Sequence, residues 1–160
     1  MKKREIRGIV IGWTIFCCLF WASSLDAQPS IDQMLERLQK AKGDERADVL
    51  NSIAYEFTTQ GQWEKAIEYG HMALKYSQSI EYAHGAMKAL YNLGDAYIEQ
   101  NNFQECLFYF ENALQAAVEL KDWAEAASAA NSLGYAYSLM GDMQRSLDFF
   151  LLAQEHNEKT

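Results

Sequence analysis

Three stretches of the chain, NSIAYEF at residues 51–57, YNLGDAY at 91–97 and NSLGYAY at 131–137, align with one another at a spacing of 40 residues. The same spacing relates a turn residue and an alanine that follow each stretch: Gly61, Asn101 and Gly141, then Ala73, Ala113 and Ala153. Self-similarity at a fixed period of this length is typical of solenoids built from stacked helical pairs. The sequence therefore predicts an all-α solenoid.

The period also predicts where the helices begin and end. We expect a capping helix or half-repeat at 28–43 and three helix-turn-helix repeats at 44–82, 83–122 and 123–160, which makes about seven helices after the N-terminal segment. The predicted pairs are roughly 45–59 with 63–78, 81–100 with 103–120, and 123–140 with 143–157. Gly61, Asn101 and Gly141 suit the left-handed conformation at helix ends, and Asp122 suits an N-cap.

Residues 1–27 differ in kind from the rest. A basic start (Lys2, Lys3, Arg4, Arg7) precedes 18 uncharged residues at 8–25, and small residues follow up to Ala27. This order indicates a secretory signal peptide cleaved after Ala27. The uncharged run also reaches the lower limit for a membrane-spanning helix, so an uncleaved anchor is the alternative. Both place the repeats outside the cytoplasm, in the periplasm or associated with the cell envelope.

The charge balance disfavours nucleic acid as a partner. The chain has 14 Lys and Arg and 22 Asp and Glu; without residues 1–27, which hold four of the basic and two of the acidic residues, 10 basic and 20 acidic residues remain. No basic stripe is left to neutralise phosphates. Cys106 is then the one remaining cysteine, and its helix-packing position indicates a buried, inert thiol.

The repeats resemble the tetratricopeptide repeat family, whose pattern places a large residue, a Leu-Gly pair, a Tyr, a small residue and an aromatic at fixed intervals. The second repeat has Leu90, Leu93-Gly94, Tyr97, Cys106 and Phe110, and the third has Ala130, Leu133-Gly134, Tyr137, Ser146 and Phe150. The first repeat is looser, with Ala54 and Gly70 in the glycine and aromatic positions. The 40-residue period resembles the long-helix class of kinesin light chains, Leu-Gly-Asn-rich polarity adaptors and the extracytoplasmic regions of bacterial sensor kinases.

The resemblance implies a right-handed superhelix in which the first helix of each pair lines a concave groove that holds extended peptides. Carried over by position, it gives these groove candidates: Asn51, Tyr55, Lys88, Tyr91, Asn92, Asp95, Asn131, Tyr135 and Ser138. An asparagine side chain both donates and accepts, so Asn51, Asn92 and Asn131 could pair with a peptide backbone. In the alternative interpretation these asparagines face water or bond between helices.

The sequence carries no pattern typical of catalysis or of metal binding. His71, His84 and His156 fall on different predicted helices, and none has a second ligand at metal-binding spacing. The glycines do not form a phosphate-binding loop. We therefore expect no enzyme activity, cofactor or metal.

The last predicted helix is apolar around more of its circumference than the second helices before it. Leu151 and Leu152 stand where the second repeat has Glu111 and Asn112. A solenoid end needs a polar cap to stay soluble. Either more chain follows, which we favour, or a partner covers an interface that includes Leu147, Phe150, Leu151 and Leu152.

The N-terminal segment predicts export, and the family resemblance implies a module that binds a protein or peptide in its concave groove. The resemblance to bacterial sensor kinases further implies that the module is the sensory input region of an envelope signalling protein. The alternative is a freestanding periplasmic scaffold that dimerises through its apolar C-terminal face. Membrane contact would come through the N-terminal segment or a further C-terminal region.

Overall fold

The computed structural model describes residues 30–160, which form seven α-helices and contain no β-strand. The helices are α1 (Ile31–Lys40), α2 (Gly43–Thr59), α3 (Trp63–Ser79), α4 (Ala83–Glu99), α5 (Phe103–Leu120), α6 (Trp123–Leu139) and α7 (Met143–Asn157). The predicted all-α repeat fold is confirmed. The predicted signal peptide lies outside the described residues, and within 30–160 no helix has the length and apolarity needed to cross a membrane.

The turns inside each repeat follow the prediction from the sequence. Gly61, Asn101 and Gly141 have φ angles of 70°, 56° and 81°. Glycine adopts this left-handed conformation without penalty, and asparagine tolerates it better than most residues. The turns between repeats also use it, at Glu81 with φ 58° and Lys121 with φ 57°.

Three of the tight turns end in a side chain that caps the next helix. The side-chain oxygens of Asn102, Asp122 and Asp142 accept hydrogen bonds from the backbone N–H groups three residues later, at 3.5, 3.2 and 3.0 Å. Such caps satisfy backbone donors that a helix start leaves without an intrahelical partner. The Asp122 cap is the one predicted from the sequence.

Glycines let the two helices of a repeat approach closely. A Cβ atom on Gly94 would lie 2.5 Å from the ring of Phe110, and one on Gly134 would lie 2.9 Å from the ring of Phe150. The first repeat has Gly70 in the aromatic position, and Leu93 of the next repeat occupies that space, with its Cδ2 2.8 Å from where a Cβ of residue 70 would be. Core packing therefore crosses the boundary between the first and second repeats.

The order of packing shows which helices form the inner side of the solenoid. Each helix packs against its neighbours in the chain, and the backbones of α2 and α4 also approach each other closely. No two of the second helices α3, α5 and α7 approach each other to the same extent. The first helices α2 and α4 therefore meet directly on one side of the stack, and a hydrogen bond between Tyr91 and Ser132 joins α6 to that side, which we call the inner side.

Candidate functional site

We define the inner surface as the faces of α2, α4 and α6 that carry residues 51–55, 91–95 and 131–135. These residues follow the 40-residue register, so equivalent positions stand side by side on successive first helices. The surface therefore consists of rows, each running across the three repeats.

Asparagines join α2 to α4 in the wall of this surface. Asn51 is 5% exposed, and its Nδ2 donates to the backbone oxygen of Gly85 at 2.9 Å. The Nδ2 of Asn92 donates to the backbone oxygen and to Oδ1 of Asn51, at 3.0 and 3.3 Å. A buried amide needs such partners. Between these two helices the asparagines thus bridge backbone to backbone, as the alternative interpretation of the sequence describes.

The junction of α4 with α6 uses equivalent positions but different residues. Tyr91, which corresponds to Asn51, shares a 2.9 Å hydrogen bond between its hydroxyl and the Oγ of Ser132, which corresponds to Asn92. Burial, and then the nearby carboxyl of Asp95, raise the pKa of the Tyr91 hydroxyl. Ser132 was not among the residues predicted from the sequence, although the register of Asn92 points to it.

Asn131 and Ser138 lie in the last repeat, beside the end of the stack. Asn131 is exposed and Ser138 is half-buried. Within residues 30–160 the side chain of Asn131 forms no hydrogen bond, whereas its equivalents Asn51 and Tyr91 each bond to the next first helix. Asn51, Asn92 and Asn131 therefore do not form one continuous solvent-facing row.

Two tyrosines of the inner surface present their rings to solvent. Tyr55 is 50% exposed and Tyr135 is 53% exposed, and they occupy equivalent positions in the first and third repeats. In the part of the chain that the structure describes, neither hydroxyl has a hydrogen-bond partner and neither ring stacks on another. Tyrosine supplies a large, rigid and amphipathic contact surface, which is why it is frequent in binding sites.

Asp95 stands between these tyrosines in the same row. It is half-buried, and desolvation, with a smaller contribution from the Glu99 carboxylate, raises its pKa to about 7. Within the described range Asp95 forms neither an ion pair nor a hydrogen bond. Lys88 is exposed on the same helix, two turns away at about 10 Å along the axis, and forms no ion pair there either.

The C-terminal interface candidates lie on α7. Leu147 is 53% exposed, Phe150 42% and Leu151 56%, while Leu152 is half-buried. In α5 the equivalent of Phe150, which is Phe110, is fully buried beneath the following repeat. At Phe150 the last helix therefore exposes a ring that α5 buries, whereas Leu151 is an apolar residue at a position where α5 has the exposed Glu111.

No group of three or more metal-ligating side chains occurs among residues 30–160. Cys106 is fully buried, and burial raises the pKa of its thiol to about 11, which keeps the sulfur in the unreactive protonated form. His156 is buried against Trp123, with ring centroids 5.7 Å apart. These features belong to the packing of the solenoid.

Comparison with known proteins gives matches of both sequence and structure. The model of the tetratricopeptide repeat family matches residues 85–159, whereas no curated protein sequence gives a significant match. The TPR domain of Arabidopsis FLU is 19% identical with a TM-score of 0.66, over 71% of this chain and 96% of that one.

Two Rap structures also resemble the chain. The apo form of RapI is 19% identical with a TM-score of 0.69, over 81% of this chain and 37% of that one. A Rap protein complexed with competence and sporulation factor is 23% identical with a TM-score of 0.73, over 81% and 36%. The chain thus spans little more than a third of the two Rap chains, and at these identities the likeness shows the fold. The family match agrees with the 40-residue repeats and the paired helices, and residues 85–159 belong to the tetratricopeptide repeat family.

Proposed function

We propose that this chain is a protein-interaction module that holds an extended peptide or a partner helix along its inner surface. The observation that carries the proposal is the pair of half-exposed tyrosines, Tyr55 and Tyr135, at equivalent positions on the first and third repeats. Large apolar rings that lack internal partners on a concave face are suited to packing against a ligand.

The bridges beneath the surface support the same proposal. The Asn51–Gly85 and Tyr91–Ser132 hydrogen bonds fix the first helices relative to one another before any ligand arrives. Preorganisation of this kind reduces the entropy that binding must overcome. The surface can therefore act as a rigid platform, with no chemical step of its own.

A displayed library of random dodecapeptides, selected on residues 28–160, tests this proposal. The Tyr55→Ala/Tyr135→Ala double variant should lose binding of the selected peptides by tenfold or more, because two ring contacts disappear. Phe108→Ala is the matched control, since Phe108 is an aromatic of similar exposure (56%) on the second helix α5. If the double variant binds the selected peptides as tightly as Phe108→Ala does, and its circular dichroism is unchanged, the inner surface is excluded as the binding site.

We also propose that the module is exported and serves as the input region of an envelope signalling protein. The basic and then uncharged sequence of residues 1–27 supports export. Fusion of the first 40 residues to alkaline phosphatase, which is active only outside the cytoplasm, tests the location. An inactive fusion, alongside an active control fusion with a known signal peptide, would contradict export.

A second candidate function is self-association through α7, and the exposure of Leu147, Phe150 and Leu151 favours it. Contiguous exposed apolar residues often mark an interaction site. Sedimentation velocity of wild type and of Leu147→Glu/Leu151→Glu distinguishes the cases. If wild type is a dimer and the double variant is a monomer, this function is supported. If wild type stays monomeric at about 100 µM, well above the micromolar Kd of a modest dimer, this function is contradicted.

A further inference from the structure

The carboxylate of Asp95 is the one charged group that stands in the row of exposed tyrosines on the inner surface. Its position is equivalent to those of Tyr55 and Tyr135, one repeat away on either side. A carboxylate in the same row as aromatic rings can offer a ligand cation an ion pair, and a neighbouring ring can add its negative face.

In the described part of the chain, the carboxylate of Asp95 has acidic neighbours and no cation beside it. The electrostatic neighbours of Asp95 and of the adjacent Tyr91 hydroxyl are Glu99, Glu125 and Tyr55, none of which is a cation. Glu99 on α4 and Glu125 on α6 carry carboxylates, so two of the first helices place negative charge near this part of the row, and Tyr55 on α2 contributes a neutral phenol. Asp95 has no internal partner within residues 30–160, in contrast to Asp142, whose carboxylate pairs with Arg145 at 2.6 Å.

We infer that the inner surface selects ligands that carry a positively charged side chain, arginine or lysine, which Asp95 binds in the row that it shares with Tyr55 and Tyr135. The inference rests on the proposed function and names the ligand chemistry of that same surface. Arginine fits best, because its planar guanidinium can pair with a carboxylate and stack on a tyrosine ring at once. The excess of acidic over basic residues would also attract such a ligand over a distance.

The same arrangement predicts how binding depends on pH. Burial raises the pKa of Asp95 to about 7, so its carboxyl group loses its proton between about pH 6 and pH 8. Glu99 on its own helix is the charged group that acts on Asp95, while Glu125 on α6 and Tyr55 on α2 act on the Tyr91 hydroxyl beside it. Lys88 lies about 10 Å away along α4. A cation binds the ionised form, so affinity for a basic ligand should rise by up to about tenfold across this range.

The experiment uses peptides from the dodecapeptide selection, resynthesised without histidine. We expect the selected sequences to be enriched in arginine or lysine. Asp95→Asn should weaken their binding by at least tenfold and remove the pH dependence. Asp148→Asn, the same change on the outer helix α7, should leave both unchanged. Replacement of the peptide arginine by citrulline, which keeps its shape without the charge, should weaken binding to wild type but not to Asp95→Asn.

The outcomes separate this inference from the proposed function. Peptides that need Tyr55 and Tyr135 but carry no basic residue, or that bind Asp95→Asn as well as wild type, would overturn the inference and leave the function intact. If no peptide depends on Tyr55 and Tyr135, both are overturned. A requirement for both the basic residue and Asp95 supports both.

Discussion

Phe110 and Phe150 occupy the same position in successive repeats, yet Phe110 is fully buried and Phe150 is 42% exposed. Each ring lies against the glycine of its own repeat, Gly94 or Gly134. The difference comes from the next repeat, because α6 covers Phe110 whereas no described helix covers Phe150. In this fold, burial depends on a residue's place in the stack as much as on its place in the repeat.

The largest expected effect follows directly from this comparison. Phe110→Ala should lower the free energy of unfolding by about 3–5 kcal/mol, the range for a buried aromatic that leaves a cavity. Phe150→Ala should cost only about 1–2 kcal/mol, because much of its ring already contacts solvent. Urea unfolding followed by circular dichroism measures both. Equal losses would show that the last helix is covered in solution.

Asp95, in the middle repeat, should make the free energy of unfolding of the protein depend on pH. Its pKa is raised from 3.8 to about 7 in the folded protein, so the native state binds more protons than the unfolded state between these values. Stability must then fall as pH rises from about 4 to 7. Asp95→Asn removes this loss, and it should stabilise the protein by about 2–4 kcal/mol at pH 8 and by little at pH 4.

Unfolding of wild type and Asp95→Asn across this pH range measures the difference between them. Asp148→Asn, an exposed aspartate of the last repeat, is the control and should follow wild type. A constant difference between Asp95→Asn and wild type at every pH would mean that Asp95 is not desolvated.

Substitution of the two packing glycines, Gly94 and Gly134, should also lower the free energy of unfolding more in the second repeat than in the third. Gly94→Ala would bring a Cβ within 2.5 Å of the confined ring of Phe110. We expect a loss of about 1–3 kcal/mol, partly offset by the better helix propensity of alanine. Gly134→Ala should lose less, because its Cβ would lie 2.9 Å from the half-exposed ring of Phe150, which can move aside, and 3.1 Å from the backbone oxygen of Ser146, which needs only a small shift. The same unfolding experiment applies, and a larger loss at Gly134 would contradict the account.

The smallest expected effect lies in the turns between repeats. Lys121 adopts a left-handed conformation that suits glycine, so Lys121→Gly should stabilise the protein by up to about 1 kcal/mol. Lys121→Ala, which removes the side chain but keeps a Cβ in the left-handed conformation, is the control and should not stabilise. A destabilised Lys121→Gly variant would show that its side chain contributes more than the backbone strain removes.

The sequence predicted the repeats and their turns well, since Gly61, Asn101 and Gly141 signal a left-handed turn by residue type. It did not predict the equivalent conformation at Glu81 and Lys121, because neither residue favours it. There the helices on both sides impose the turn.

The site was harder to predict because the sequence gives the face of a helix but not how far the next repeat covers it. Asn51 and Tyr55 are one turn apart, yet Asn51 is buried in a bridge to α4 and Tyr55 is half exposed. The raised pKa of Asp95 likewise depends on how deeply the folded chain buries its carboxyl group, which the sequence does not give.

The most direct test of the central claim is an amide chemical-shift map of the chain bound to a selected dodecapeptide. The account predicts shift changes concentrated on α2, α4 and α6 around Tyr55, Asp95 and Tyr135, with few on α3 and α5. Changes concentrated on α7 around Phe150 and Leu151 would contradict it and would place the ligand on the uncovered end of the solenoid.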